Sequence, residues 1–237
     1  MMKSSQNKHS LVLGATGSIG SAITEGLEAQ GMTVWRLARF LATDIDNYLL
    51  NLTDFLQDID GVRNLLPEFS SIVFAQGANL TDDISDYNKE AHKEIYDANV
   101  LVILDTVSLL ISLNLLINTS SICIVSSIWQ DMSRNNKLSY SISKSAIKGV
   151  VLSLVADLSK KGIRVNAVLP GPIDNPMTRS NLTSAQIGQF ESESPSGALS
   201  KLSSVVNAVV WLASPLSDGI TGNFIRVDSG ASLVRMY

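Results

Sequence analysis

A doubly wound α/β domain, a parallel sheet between two layers of helices, is what three observations predict for these 237 residues. Short apolar runs alternate with stretches of helical period from one end of the chain to the other. The runs lack the polar/apolar alternation of a half-exposed sheet, which suits parallel strands covered on both faces. The first run, "SLVLG", leads straight into a glycine-rich turn and a helical pattern. Strands are expected at 10–14, 33–38, 48–52, 71–77, 121–127, 163–171 and 222–228. Helices are expected near 18–30, 91–117, 139–160 and 203–213. Right-handed crossovers arrange such β-α units into one three-layer α/β/α sheet. No repeat, charge block or long linker interrupts them, so residues 1–237 read as a single domain. Between Arg39 and "YLLNL" the link is short, leaving little room for a helix. The segment 174–200, polar and broken by Pro and Gly, follows a strand end, where open α/β sheets bind ligands. It reads as a substrate lid or as a plain exposed loop.

Composition narrows the function classes. Hydrophobic residues make up 45% and charged residues 17%, with a net charge of −4 and no Lys/Arg-rich run, which argues against a nucleic-acid partner. The single cysteine, Cys123, excludes a disulfide framework and favours a reducing, cytoplasmic setting. The polar start "MMKSSQNKHS" has no signal-peptide core. "VLVILDTVSLLISLNLLI" (100–117) approaches the length of a membrane span. Asp105, Ser108 and Ser112 nevertheless draw one narrow polar stripe along it. It reads as a helix buried on two sides, against its own sheet and against a partner subunit. His9 and His92 are isolated, so no metal site is expected. Asp82 and Asp83 read as solvated loop carboxylates, and Trp35 and Trp211 as core. Trp129 and Met132 fall near the expected substrate side, where an aromatic can pack on a ligand or simply plug the fold.

In "LVLGATGSIG", Gly14, Gly17 and Gly20 sit between strand and helix, where backbone N–H groups can approach a pyrophosphate. No Lys follows as in a nucleoside-triphosphate loop. At the end of the second strand, Ala38 and Arg39 stand where an NAD site carries an acid. Arg39 is either a 2′-phosphate partner or a surface arginine closing a strand. Tyr140 and Lys144, four apart on a helical pattern, share one face, where an ammonium favours the phenolate and lowers the phenol pKa. Ser127 closes a strand at the carboxyl edge of the sheet. Asn99 opens the apolar helix, where it can also be a simple N-cap.

With these residues in place, the chain from Leu11 to about Leu233 resembles the short-chain dehydrogenase/reductase family, single-domain type. The family's pattern is an Asn, a Ser thirteen residues before a Tyr, and a Lys four residues after it. Asn99, Ser127, Tyr140 and Lys144 satisfy it. "FAQG" (74–77), "IRVNAVLPGPIDNPM" (163–177) and "WLASPLSDGITGNFIRVDSGASL" (211–233) resemble further family segments. The resemblance implies a Rossmann-type fold and a carbonyl reduction or alcohol oxidation with a nicotinamide cofactor. Tyr140 would be the acid/base and Ser127 would polarise the oxygen. Lys144 would tune the tyrosine and hold the ribose, and Asn99 would hold a water that supplies protons. Cofactor contacts are expected from Gly14, Thr16, Gly17, Ser18, Ile19, Gly20, Arg39, Asn51, Leu52, Ala75 and Gly77. Pro170, Gly171 and Ile173 are expected to cover the nicotinamide, with Asn99, Tyr140 and Lys144 beneath it. Arg39 tilts the cofactor to NADP over NAD. Within the family the chain is most like the 3-oxoacyl-carrier-protein reductases. The partner is then a small carbonyl or alcohol, and the assembly a homodimer or homotetramer built on the two apolar helices.

Ser18 departs from the family's middle glycine, Asn51 from an Asp and Asn175 from a Thr that holds the carboxamide. The resulting glycine spacing also resembles nucleotide-sugar epimerases and dehydratases. A non-catalytic dinucleotide sensor is the third reading.

Overall fold

The structure, a computed structural model, describes residues 8–39, 48–57, 63–64, 66–175, 178–179 and 183–234. The link at 40–47, where no helix was expected, lies outside the described residues. All seven expected strands join one parallel sheet: β1 (His9–Leu13), β2 (Thr33–Ala38), β3 (Leu49–Asn51), β4 (Phe69–Phe74), β5 (Leu116–Val125), β6 (Arg164–Pro170) and, last in the chain, β9 (Phe224–Val227). Their order is β3-β2-β1-β4-β5-β6-β9. The order reverses between β1 and β4, the place where a doubly wound sheet opens a crevice above its carboxyl edge. A separate two-stranded ladder pairs β7 (Ile173–Asp174) with β8 (Ser200–Lys201).

Each central strand sends alternate residues into two cores. Leu11, Leu13, Ile72, Phe74, Ile122 and Ile124 pack on one face; Val12, Val73, Cys123 and Val125 pack on the other. Both sets are buried, which explains the continuous apolar runs of the sequence. The first face is covered by α2 (Leu52–Gln57), α4 (Val102–Ser112) and α5 (Leu138–Leu158); the second by α1 (Ser18–Ala29) and α7 (Leu202–Ala213). A Cβ on Gly26 of α1 would come within 2.7 Å of Val206 Cγ1 and 3.1 Å of Val210 Cγ2 on α7, so the absence of a side chain there lets the two helices approach. Arg164, buried at the head of β6, donates to the carbonyls of Leu212 and Ser214 and to Ser217 Oγ. It therefore serves as a cation at the C-terminal end of α7, where the helix dipole is negative.

The helix expected over 91–117 is divided differently. A first segment, α3 (Lys89–Tyr96), begins at Asn88, whose side chain accepts from Ala91 N. A π-helical turn over Asp97–Leu101 follows, and α4 ends at Ser112. Asn114 then turns the chain in a left-handed conformation (φ 55°), and β5 begins at Leu116. Its early start was hidden because the ladder to β4 shifts register between Phe69 and Ser71. Lys89–Ser112 is long and apolar enough to cross a membrane by length and composition, but Val102, Ile103, Val107 and Leu110 are buried in the domain core. The polar stripe Asp105, Ser108 and Ser112 is exposed, as its spacing implied. Trp35 is core as expected; Trp211 is 38% exposed on the outer face of α7, a correction to its reading as core.

Candidate active site

Above the carboxyl edge lies a cleft of about 940 Å³ that runs from the glycine turn to Tyr140 and Lys144. At its far end the turn is held by backbone bonds: Gly14 N donates to Leu37 O (2.9 Å) and Gly17 N to Gly14 O (3.0 Å). Gly14 has φ +73°, and a Cβ there would come within 2.7 Å of the Gln76 backbone. A Cβ on Gly20 would run into the Gly14 carbonyl, so Gly20 belongs to helix–strand packing and does not line the cleft. Helix α1 has no side-chain cap and no acid in its first turn. Its first N–H groups are thus open to an anion beside Gly17, Ser18 and Ile19, which line the cleft.

Of the other expected cofactor residues, Thr16, Arg39, Leu52, Ala75 and Gly77 line this cleft. Asn51 does not; its Oδ1 accepts from Thr53 N (2.8 Å) at the start of α2. Pro170, Gly171 and Ile173 are buried beside the cleft and do not line it. Pro172 instead lines a separate cavity of about 50 Å³ with Trp129, Met132 and Phe190. Trp129 and Met132, expected near the substrate, thus line this second cavity and not the cleft.

The near end carries the chemistry. Tyr140 and Lys144 stand one turn apart on α5, with Lys144 Nζ 5.7 Å from the Tyr140 ring centroid. Lys144 is buried, donates to Val125 O (3.2 Å), and is pulled down to about 8 by desolvation. Gly77 lies beside it: a Cβ there would sit 3.4 Å from Asn99 Oδ1 and 3.5 Å from Lys144 Nζ, ordinary van der Waals contact. The Tyr140 phenol is pushed above its ordinary value by burial, with a hydrogen bond to Ser127 pulling the other way. Burial therefore outweighs the lowering expected from Lys144, and the phenol is held protonated. Ser127 caps a 3₁₀ turn, Ile128–Gln130, accepting from Trp129 N at 3.3 Å. A second ammonium, Lys137, also lies 5.7 Å from the Tyr140 ring centroid and donates to Asn79 Oδ1 (2.7 Å). Nothing in the spacing of the sequence singled it out.

Asn99 sits in the π turn, not at a helix start. Its Oδ1 accepts from Ala78 N (2.7 Å), and its Nδ2 donates to Ala78 O (3.0 Å) and Ser143 Oγ (2.9 Å). It clamps the loop after β4 to the helix bearing Tyr140, and the extra residue of the π turn gives it that reach.

Asp82 corrects the sequence reading: it is 5% exposed, not a solvated carboxylate. It accepts from Ser139 N (3.1 Å) and from Ser139 Oγ, while His92 Nδ1 bonds Ser139 Oγ at 2.8 Å. Lys137, the N-cap residue of α5, provides no acceptor, so Asp82 caps the helix from another loop. We expect Asp82→Ala to cost about 1–2 kcal/mol of stability, read as a lower urea midpoint at unchanged slope. An unchanged midpoint would remove the capping role.

Cys123 is fully buried, and its thiol is pushed up to about 12, so it takes no part. No group of three or more His, Cys, Asp or Glu suited to a metal occurs among the described residues.

The features of the cleft fit a dinucleotide: an uncapped helix start for a diphosphate, Arg39 directly after β2, and a buried Gln76 Oε1 without a partner among the described residues.

Residues 55–232 match a family profile described as enoyl-(acyl carrier protein) reductase. The 3-oxoacyl-(acyl-carrier-protein) reductase FabG of Escherichia coli is 26% identical over 97% of this chain and 99% of its own. The uncharacterized oxidoreductase YmfI of Bacillus subtilis is 29% identical over 94% and 98%. A short-chain dehydrogenase family protein from Francisella tularensis superposes with a TM-score of 0.85 at 26% identity, covering 96% of this chain and 99% of that one.

Proposed function

The chain belongs to the short-chain dehydrogenase/reductase family, enzymes that act on CH–OH and C=O groups, and we propose that it is an NADP(H)-dependent carbonyl reductase with Tyr140 as its acid/base. One observation carries the reading. Tyr140, hydrogen-bonded to Ser127, and Lys144 line the end of a cleft of dinucleotide size opposite the glycine turn. A bound nicotinamide supplies the hydride, and the protein supplies position and protons. Ser127 and Tyr140 hydrogen-bond one another, so both can reach a single oxygen, which a C=O presents and a C=C does not. Ser127 polarises that oxygen, and the phenol, kept protonated by burial, gives it a proton. Lys144, titrating near 8, exchanges protons around neutrality and replaces the one lost from Tyr140. Asn99 holds the Ala78 loop against α5, and so keeps Tyr140 and Lys144 in register. In oxidation the same groups run in reverse.

The choice of NADP rests on Arg39, exposed at the cleft edge where β2 ends without an acid. A guanidinium pairs with a phosphate dianion through charge-assisted bonds. Arg39→Ala is expected to weaken NADPH roughly tenfold and leave NADH within about twofold. Equal loss for both would assign Arg39 to the structure and not to the 2′-phosphate.

By name the relatives of Escherichia coli and other bacteria act on 3-oxoacyl carriers, and we take an acyl or other small carbonyl as the substrate class. Trp129, Met132 and Phe190 give the substrate side an apolar wall, with residues 183–200 as its cover. Leu101, Leu104, Ile142 and Leu152 remain 39–49% exposed on the outer faces of the π turn, α4 and α5. We assign this face to a subunit contact in a dimer or tetramer. Sedimentation at micromolar concentration is expected to show no monomer; a stable monomer would exclude the contact.

A further inference from the structure

Two positions where the chain leaves its family's motif are hydrogen-bonded to each other. Ser18, the first residue of α1, lines the cleft beside the uncapped helix start. Asn175, 157 residues later in sequence and 7% exposed, donates from Nδ2 to Ser18 Oγ at 3.4 Å. The other end of the Asn175 amide is also fixed, its Oδ1 accepting from Thr178 N at 2.8 Å. A flip would set Nδ2 against the Thr178 N–H, so the Thr178 bond fixes Nδ2 as the atom that faces Ser18 Oγ. Because Ser18 Oγ accepts from Asn175, its own hydrogen is left to donate elsewhere. The surrounding wall is formed by Thr16, Gly17 and Ile19, where the helix dipole favours negative charge.

We propose that Ser18 is a diphosphate-binding residue and that Asn175 is its positioning residue, orienting the hydroxyl toward the cofactor. The pair adds one donor that a glycine at position 18 lacks. The proposal rests on the dinucleotide reading of the cleft. It implies that restoring the family's glycine weakens binding instead of improving it. Thr16 lies on the same wall, but no hydrogen bond to its hydroxyl is seen among the described residues.

The test is calorimetric titration of the full chain with NADPH and with adenosine 2′-monophosphate, which lacks the diphosphate. Ser18→Ala and Ser18→Gly are each expected to raise the NADPH Kd about tenfold, the size of one hydrogen bond to a charged group. Binding of adenosine 2′-monophosphate should stay within about twofold. Asn175→Ala should reproduce most of the loss, and the double variant should be no worse than Ser18→Ala alone, since one residue acts through the other. Unchanged NADPH affinity in both Ser18 variants would overturn the proposal, as would additive losses in the double variant or tighter binding by Ser18→Gly. A parent chain that binds no NADPH would instead overturn the dinucleotide reading. Circular dichroism of each variant guards against loss of fold, and Ser18→Thr, which keeps the hydroxyl, should retain the parent affinity.

Discussion

Tyr140→Phe lowers kcat/KM for carbonyl reduction by about 10²–10⁴-fold, the usual worth of a positioned acid/base, and leaves the Kd for NADPH within about twofold. The change deletes one oxygen from a half-buried ring that keeps its packing on α5 between Lys137 and Lys144. The cofactor cleft is otherwise lined by the same residues, so binding and chemistry separate cleanly. Steady-state kinetics beside a binding titration check this. Activity retained within about threefold would place the proton donor elsewhere.

Lys144→Met abolishes turnover and stabilises the cofactor-free protein. Burial lowers the Lys144 ammonium from 10.5 to about 8, with no carboxylate partner among the described residues, so the folded state bears the cost of a desolvated charge. Between pH 8 and 10.5 the unfolded chain binds more protons than the folded one, so this group makes stability rise with pH across that window. Below about pH 8 both states hold the proton and the cost is present in full. A shift of this size corresponds to at most about 3 kcal/mol. The methionine variant is therefore expected to melt higher than the parent at neutral pH, with the gap closing as pH rises. Thermal unfolding at several pH values measures it. A variant less stable than the parent at neutral pH would mean that the bond to Val125 O outweighs the burial cost.

Such a trade of stability for chemistry depends on burial and was not legible in the sequence, whereas the placing of Tyr140 and Lys144 on one face was, because it depends only on helical spacing. Ser127 was legible too, since a residue that closes a parallel strand stands at the carboxyl edge whatever the neighbours do. The sheet followed from apolar runs buried on both faces, and each expected strand is found within a few residues. The misreadings arise where tertiary contact decides. Asp82 looks like a loop carboxylate until the start of α5, 57 residues on, supplies Ser139 as its partner. Trp211 looks like core because its helix is apolar on both sides, yet α7 buries only Val205, Val209, Leu212 and Ala213. The π turn at Asn99 has no local signature; its reward is the bonding of Asn99 to Ala78 and Ser143, which no spacing rule reveals. Asn51 carries the polar group that a cofactor contact needs, but the first turn of α2 claims it. The bond between Ser18 and Asn175 joins two segments that the sequence kept 157 residues apart.

The central claim is that the cleft delivers reducing equivalents to a carbonyl held by Ser127 and Tyr140. It is tested most directly by single-turnover reaction of the chain preloaded with NADPH, against 3-oxoacyl thioesters and simple ketones. The expected result is loss of NADPH matched one for one by a hydroxy product. NADPH bound tightly, with no consumption across that panel, would contradict the claim and leave a dinucleotide sensor in its place.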